Sequence, residues 1–389
     1  MSDDLTRWVL TQGHRTADGA ELLGGFCRRL VEGGIPVWRA TISFATLHPQ
    51  LLGFSLRWRR DRGAVEETRL EHGITETSTY LESPLVPVVE RGETVRFRLE
   101  REAIERFPLL VELHAEGATD YFACPLTFLN GWHQAASFSS DRPGGFSEAD
   151  IEALTAVLPA LGVVVEAQAM RRLTGNLLDT YLGRTIGRHI LNGEVQRREG
   201  QQRRAVLMAT DLRGFTNLSD HLPSADLIEL LDDYFDVVVS PIHAAGGEVL
   251  KFVGDGLLAM FPLNDGAAAH TAETALAAAQ DALARLDRIN LTRHEAGRRT
   301  IHFGIGLHVG TVIYGNVGAA DRLDFTAIGP AVNLVCRLES LTKRMGRPLL
   351  VSSDFAELCR RPLVALGFQP VRGMGEPAEV FGLPEPAEV

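Results

Sequence analysis

Two aspartates define the chemistry this sequence can support. Asp211 closes the apolar run Ala205–Thr210 in MATDLRGFT, and Asp255 sits at the turn of KFVGDGLLAMF. In a β-α-β-β order the first strand lies beside the later hairpin, so both carboxylates reach one end of the sheet. Two carboxylates held together repel unless a cation lies between them. Oxygen-only ligands suit Mg²⁺ or Mn²⁺, and those ions favour polyphosphate substrates. Singly, Asp211 reads as a helix N-cap and Asp255 as a turn residue; jointly they read as metal ligands. The next residues, Leu212-Arg213-Gly214-Phe215-Thr216, place consecutive backbone N–H groups before a polar helix start. That arrangement can nest an anion, with Gly214 allowing close approach of a phosphate; the alternative is an ordinary strand-to-helix turn.

A further signal is compositional. Of 39 basic side chains only Lys251 and Lys343 are lysine. Where a generic positive charge suffices this chain supplies arginine, so Lys251, four residues before Asp255, marks a site that needs an ammonium. Lys343 is read as chance.

The elements that must position these residues alternate clearly. Ala205–Thr210 reads as a strand and Ser224–Ala244 as a helix. Val249–Val253 and Leu257–Phe261 form a hairpin around Gly254-Asp255-Gly256, and Asp265–Ile289 is an Ala-rich helix. His302–Val309 and Val312–Asn316 read as a second hairpin, and Pro330–Thr342 as a helix opened by proline. A strand at Leu349–Ser352, a short helix to Cys359 and strands near Phe368 and Val380 follow. The order β-α-β-β-α-β with a strand–helix tail is a ferredoxin-like α+β sheet with helices on one face.

Upstream, Glu21–Val31 is an amphipathic helix. Val37–Ala45, Leu51–Trp58 and Val95–Leu99 are strands. Phe122–Phe128 and Trp132–Phe138 flank Asn130-Gly131, a hairpin signal. A helix starts at the N-cap Ser147, with Phe146 stapling against Ile151, and runs to about Met170. Trp8, Trp38, Trp58 and Trp132 all lie in this part, read as core packing in preference to a ligand pocket. Residues 171–202 are helical and polar, with a stripe of Leu177, Leu178, Tyr181, Leu182, Ile186 and Ile190. The stripe either packs on its own domain or forms a seam with a second copy. The expected organisation is 1–170, a linker at 171–202, and 203–389.

Composition excludes other classes. Fifty acidic against 39 basic residues give a net charge of −11, unsuited to gripping nucleic acid. Cys27, Cys124, Cys336 and Cys359 lack CxxC spacing, against a zinc knuckle or disulfide framework. No His in the first part has metal-ligand spacing. No secretory signal opens the chain and no uncharged apolar run reaches membrane-spanning length, so the expected location is cytoplasmic with no membrane span. Gly304-x-Gly306-x-x-x-Gly310 has the wrong spacing for a dinucleotide fingerprint.

Together, DLRGFT, GGEVLKFVGDGLLAMF, HFGIGLHVGTVIYGNVG and RLDFTAIGPAVNLVCRLE resemble the class III nucleotide cyclases, in order and spacing across residues 203–384. The resemblance implies a homodimer with two active sites shared across the interface. It makes Asp211 and Asp255 ligands of two Mg²⁺ or Mn²⁺ ions, one activating the ribose 3′-hydroxyl and one clamping the β- and γ-phosphates. Leu212, Gly214, Phe215 and Thr216 would face the phosphates. Lys251 and Thr326 fall at the base-recognition positions, Thr326 marking a subgroup that lacks the common Asp. Asn333 and Arg337 match residues that orient the ribose and stabilise the transition state. Arg322 and Arg372 are further phosphate candidates. Pro330 departs from the Asp or Asn of many relatives but suits a helix start.

The base pair of positions agrees with adenine. Lys251 can only donate, which suits the N1 acceptor, and a Thr326 hydroxyl can accept from N6. Guanine presents the reverse edges. The expectation is an adenylate cyclase making 3′,5′-cyclic AMP and pyrophosphate from ATP. The pattern GGFSEADIEAL resembles the end of a GAF domain, implying an N-terminal sensory domain that receives an unknown small-molecule or protein signal. The alternatives are a guanylate or mixed-purine cyclase, or a nucleotide-binding regulator without turnover.

Overall fold

The computed structural model describes residues 2–46, 51–100, 104–193, 200–263, 266–319, 322–371 and 375–384. The chain forms two compact units, Met1–Leu177 and Leu178–Val389.

The first unit is an antiparallel sheet of six strands in the order β3-β2-β1-β6-β5-β4. They are β1 (Val37–Ala45), β2 (Leu51–Arg59), β3 (Val65–Glu71), β4 (Val95–Arg98), β5 (Asp120–Thr127) and β6 (His133–Ser140). Alternation along β5 divides the apolar residues between two faces. Phe122, Cys124 and Leu126 join one core with α1 (Ser2–Thr11), α2 (Gly19–Glu32) and α6 (Glu148–Leu182). Tyr121 and Ala123 join a second core with α4 (Val86–Arg91) and α5 (Pro108–Ala115), which follow the one-turn α3 (Ser78–Leu81). Strand β3 carries no apolar alternation, because VEETRLE is an exposed edge strand; periodicity could not find it. Trp38 and Trp58 are buried, whereas Trp132 is 54 % exposed at the hairpin turn, so the tryptophans do not gather into a pocket.

Helix α6 starts as read. Ser147 and Asp150 exchange hydrogen bonds, Asp150 N–H to Ser147 Oγ at 3.2 Å and Ser147 N–H to Asp150 Oδ2 at 2.8 Å, a capping box. Its end corrects the expectation of a stop near Met170: the helix continues to Leu182 and keeps Pro159 inside. Gly183 at φ 85° ends it and opens a separate helix, α7 (Arg184–Leu191). By length and composition α6 is apolar enough to cross a membrane, the one such helix among the described residues. Its Leu154, Val157, Leu161, Val164 and Val165 are core residues of the first unit.

The second unit is built on β7 (Gly200–Leu212), β8 (Glu248–Val253), β9 (Gly256–Pro262), β10 (Phe303–Gly318), β11 (Leu323–Ile328), β12 (Leu349–Ser352), β13 (Val364–Gln369) and β14 (Ala378–Gly382). The path is β13-β14-β12-β10-β7-β9-β8, with β11 on the far half of β10. Its helices are α8 (Phe215–His221), α9 (Ser224–Ala244), α10 (Ala268–Glu295), α11 (Pro330–Met345) and α12 (Ser353–Leu358).

Three readings change here. Where a hairpin was expected over residues 302–316, Phe303–Gly318 is one long strand; β10 pairs instead with β11, from Ile313–Ile328 to Gly318–Leu323. Gly310 makes no turn: an added Cβ there would lie 2.5 Å from the Ala331 Cβ, so glycine admits helix α11. Helices cover both faces, not one. Val206 and Met208 face a core with α9 and α10, while Ala205, Leu207 and Ala209 face Ala331 and Val335 of α11. The unbroken apolar run of β7 is the sign of burial on both faces. The stretch at 171–202 is not helical throughout: α6 and α7 fill it to Leu191, residues 194–199 lie outside the described ones, and β7 begins at Gly200. In its stripe Ile186 is buried and Tyr181 is 74 % exposed.

Candidate active site

The two aspartates meet at one end of the second sheet. Asp211 is the penultimate residue of β7, directly opposite Gly256 of β9 and Gly304 of β10. Asp255 precedes Gly256, at the tip of the β8–β9 hairpin, where Gly254 takes the left-handed φ of 62° that the turn needs. Glycine on both flanks leaves room beside the Asp211 carboxylate. Burial and the neighbouring Asp255 push the Asp211 carboxyl up to about 6, with Arg213 pulling the other way. Burial also raises Asp255 above the ordinary carboxylate range. A pair held half-buried against its own repulsion fits a divalent cation, whose charge would remove both penalties. Among the described residues no group of three or more His, Cys, Asp or Glu is arranged to hold a metal.

Behind Asp211 lies a charged cluster that sequence reasoning passed over. Glu339 of α11 is 5 % exposed, and its Oε1 has no hydrogen-bond partner. Arg213 reaches it at 3.6 Å and also donates to the Thr342 hydroxyl. Burial first and Asp211 second raise the Glu339 carboxyl to about 7. This close approach of α11 explains the glycines of β10. An added Cβ at Gly304 would lie 2.7 Å from Glu339 Oε1, and one at Gly306 2.6 Å from the Val335 carbonyl oxygen. The spacing that fails as a dinucleotide fingerprint is a helix-packing surface. A glutamate two residues after Arg337 in the helix gave no site signal of its own; only the fold brings Glu339 behind Asp211.

After Asp211, Leu212 is buried and Gly214 adopts φ 74° as α8 begins at Phe215. The first-turn N–H groups at Phe215 and Thr216 are those a helix leaves unpaired, and Thr216 is exposed. Lys251 lies on β8 opposite Leu258, just past a bulge. Its charge reaches Cys336 of α11, lowering a thiol that burial and Glu339 raise. Thr326 lies on β11 opposite Gly315, 3 % exposed, with a hydroxyl that has no partner. A buried hydroxyl left unmatched costs about 1–3 kcal/mol and awaits a partner.

Asn333 and Arg337 stand elsewhere. Both project from α11 into a cleft that also includes His308, Thr311 and Asp354 and contains neither aspartate. One helical turn apart, they share a flank of α11 distinct from the one that carries Cys336 and Glu339. The chain thus assembles the aspartates with Arg213 and Glu339, but not the aspartates with Arg337. Arg322 is exposed at the β10–β11 turn. Arg372 lies outside the described residues.

The second unit is similar to known proteins. Residues 199–361 match the family described as the adenylate and guanylate cyclase catalytic domain. An adenylate cyclase of Anabaena cylindrica is 36 % identical over 156 residues, covering 39 % of this chain and 30 % of that protein. Adenylate cyclase 1 of Rhizobium meliloti (strain 1021) is 30 % identical over 178 residues, covering 45 % of this chain and 26 % of the relative. The matched region thus spans less than a third of either curated relative. A bacterial light-regulated adenylyl cyclase of known structure shares the fold, at TM-score 0.50 and 21 % identity over 66 % of this chain and 83 % of its own.

Proposed function

From the match of residues 199–361 to the adenylate and guanylate cyclase catalytic-domain family, we propose that the chain is an adenylate cyclase working as a homodimer. The reaction converts ATP to 3′,5′-cyclic AMP and pyrophosphate. The observation that supports the choice of ATP is a buried, unpartnered Thr326 hydroxyl on β11, read together with the lysine on β8 as the two groups that meet the base. Lys251 donates to adenine N1, and the Thr326 oxygen accepts from N6. Guanine would set an N1–H against the ammonium.

Asp211 and Asp255 would hold Mg²⁺ or Mn²⁺, which when bound supplies charge for the triphosphate and lowers the pKa of the attacking hydroxyl. The Phe215 and Thr216 N–H groups receive phosphate oxygens at the start of α8, and Gly214 keeps the approach clear. Asn333 orients the ribose. Arg337 meets the negative charge that grows on the α-phosphate as the 3′-oxygen attacks and pyrophosphate departs, a contact worth about 10²–10³ in rate. Because one chain keeps Arg337 in a cleft without the aspartates, the working site combines the aspartates of one chain with Asn333 and Arg337 of another. The first unit is the sensory half in this reading.

The test is direct. Purified protein with Mg²⁺ or Mn²⁺ receives ATP and GTP separately, and products are separated by chromatography and identified by mass. Cyclic AMP from ATP with little product from GTP supports the proposal. Preferential turnover of GTP refutes the roles given to Lys251 and Thr326, and nucleotide bound but unchanged with both metals refutes catalysis.

A further inference from the structure

The first unit contains a cleft of about 560 Å³ between the β1–β2 surface, the start of α2 and the second half of α6. Sites for small molecules commonly enclose about 300–1,000 Å³, with an apolar lining and a few placed polar groups. Here Ile42, Phe44 and Leu56 of the sheet and Val165 of α6 make the apolar wall. Gly19 keeps α2 close to that wall, since an added Cβ would lie 2.7 Å from Leu56 Cδ1.

The polar groups can be accounted for one at a time. Asp18 caps α2, accepting from the Glu21 N–H at 2.9 Å. Glu67 is held by Arg172 through two bonds of 2.6 and 2.8 Å, and the same guanidinium stacks on Phe54 at 3.6 Å. Thr16 donates to the Gly13 carbonyl at 2.7 Å and accepts from Gln168 Nε2 at 2.9 Å. His14 and Arg171 stand at the exposed rim. What remains is Gln168 Oε1, buried and without a partner. The enclosed part of the cleft therefore has one unmet need, an acceptor seeking a donor, in apolar surroundings whose charges are already paired.

We infer that this cleft binds a small uncharged apolar molecule that donates one N–H or O–H hydrogen bond to Gln168 Oε1. The inference is independent of cyclase activity, because it is tested by binding alone. The probe is indole, an apolar ring with a single N–H, compared with N-methylindole, which lacks the donor. Both are titrated calorimetrically into the full chain. Saturable binding of indole is expected, with N-methylindole weaker by about tenfold, the worth of one hydrogen bond. Gln168→Leu should remove that preference while the protein still binds an apolar ring. Ala167 lines the cleft from an exposed position on α6, so Ala167→Trp should block both ligands without unfolding the domain, as circular dichroism would verify. No saturable indole binding at millimolar concentration overturns the inference. So does equal binding of the two probes, or binding that survives a folded Ala167→Trp.

Discussion

Mixing two inactive variants puts the separation of Asp211 from Arg337 to a numerical test. Asp211 lies at the β8–β9 hairpin end of the sheet, whereas Arg337 lines the cleft with His308 and Asp354. If a two-fold dimer closes each site with the aspartates of one chain and the arginine of the other, Asp211→Ala and Arg337→Ala damage opposite halves. Each homodimer has two broken sites. Arg337→Ala alone should fall about 10²–10³-fold in kcat, and Asp211→Ala at least as far. In a heterodimer, one site carries both mutations and the other carries neither. Random exchange at equal amounts makes about half the dimers mixed, so the mixture should recover about a quarter of wild-type turnover, and tag-purified heterodimer about half. A double variant carrying both mutations, paired with wild-type chain, separates the geometries. Sites shared between chains leave that heterodimer inactive, while sites complete within one chain leave it half active. The shared-site reasoning is refuted if purified Asp211→Ala/Arg337→Ala heterodimer is no more active than its parents.

Three other outcomes follow from the same geometry. Lys251→Glu should lower the ATP-to-GTP ratio of kcat/KM by about tenfold or more, because a donor facing the base becomes an acceptor; paired kinetics with both nucleotides reads it. In metal-free protein, Asp211 titrates near about 6 when folded but near the ordinary carboxylate value of about 3.9 when unfolded. Between those values the folded state binds more protons, so this group's contribution to stability is present at low pH and is lost as pH rises through about 6. Asp211→Asn should therefore gain Tm over wild type progressively between about pH 4 and 6 and keep the gain at pH 8; adding Mn²⁺ should abolish it, and a flat difference in EDTA contradicts the buried-pair account. Gly306→Ala should destabilise by about 1–3 kcal/mol in urea melts, since its methyl would press on the Val335 carbonyl and the Glu339 N–H at 2.6 and 2.7 Å; an unchanged midpoint would mean that α11 is less tightly held to β10.

What could be read in the chain and what could not divide along physical lines. The places of Asp211, Asp255 and Lys251 in the fold were legible because strand ends and a tight Gly-Asp-Gly turn fix a residue's position within a few residues of sequence. The N-cap Ser147 was legible for the same reason. Edge strand β3 was not, since a strand exposed on both faces carries no apolar alternation. The glycines of β10 misled: without a Cβ to report, a glycine that admits a helix looks the same as one that makes a turn, and only the approach of α11 tells Gly310 from Gly254. Glu339 was invisible for a related reason, because its burial behind Asp211 depends on a helix more than a hundred residues downstream reaching across those glycines. The same packing sets the limit of a single chain. It seats α11 so that Glu339 lies beside Asp211 and Asp255 while Asn333 and Arg337, on another flank of the same helix, face away into their own cleft. One helix cannot turn both flanks to the same aspartates. If the site is completed by a second copy, as proposed, the feature that requires it is the close contact of α11 with Gly304 and Gly306.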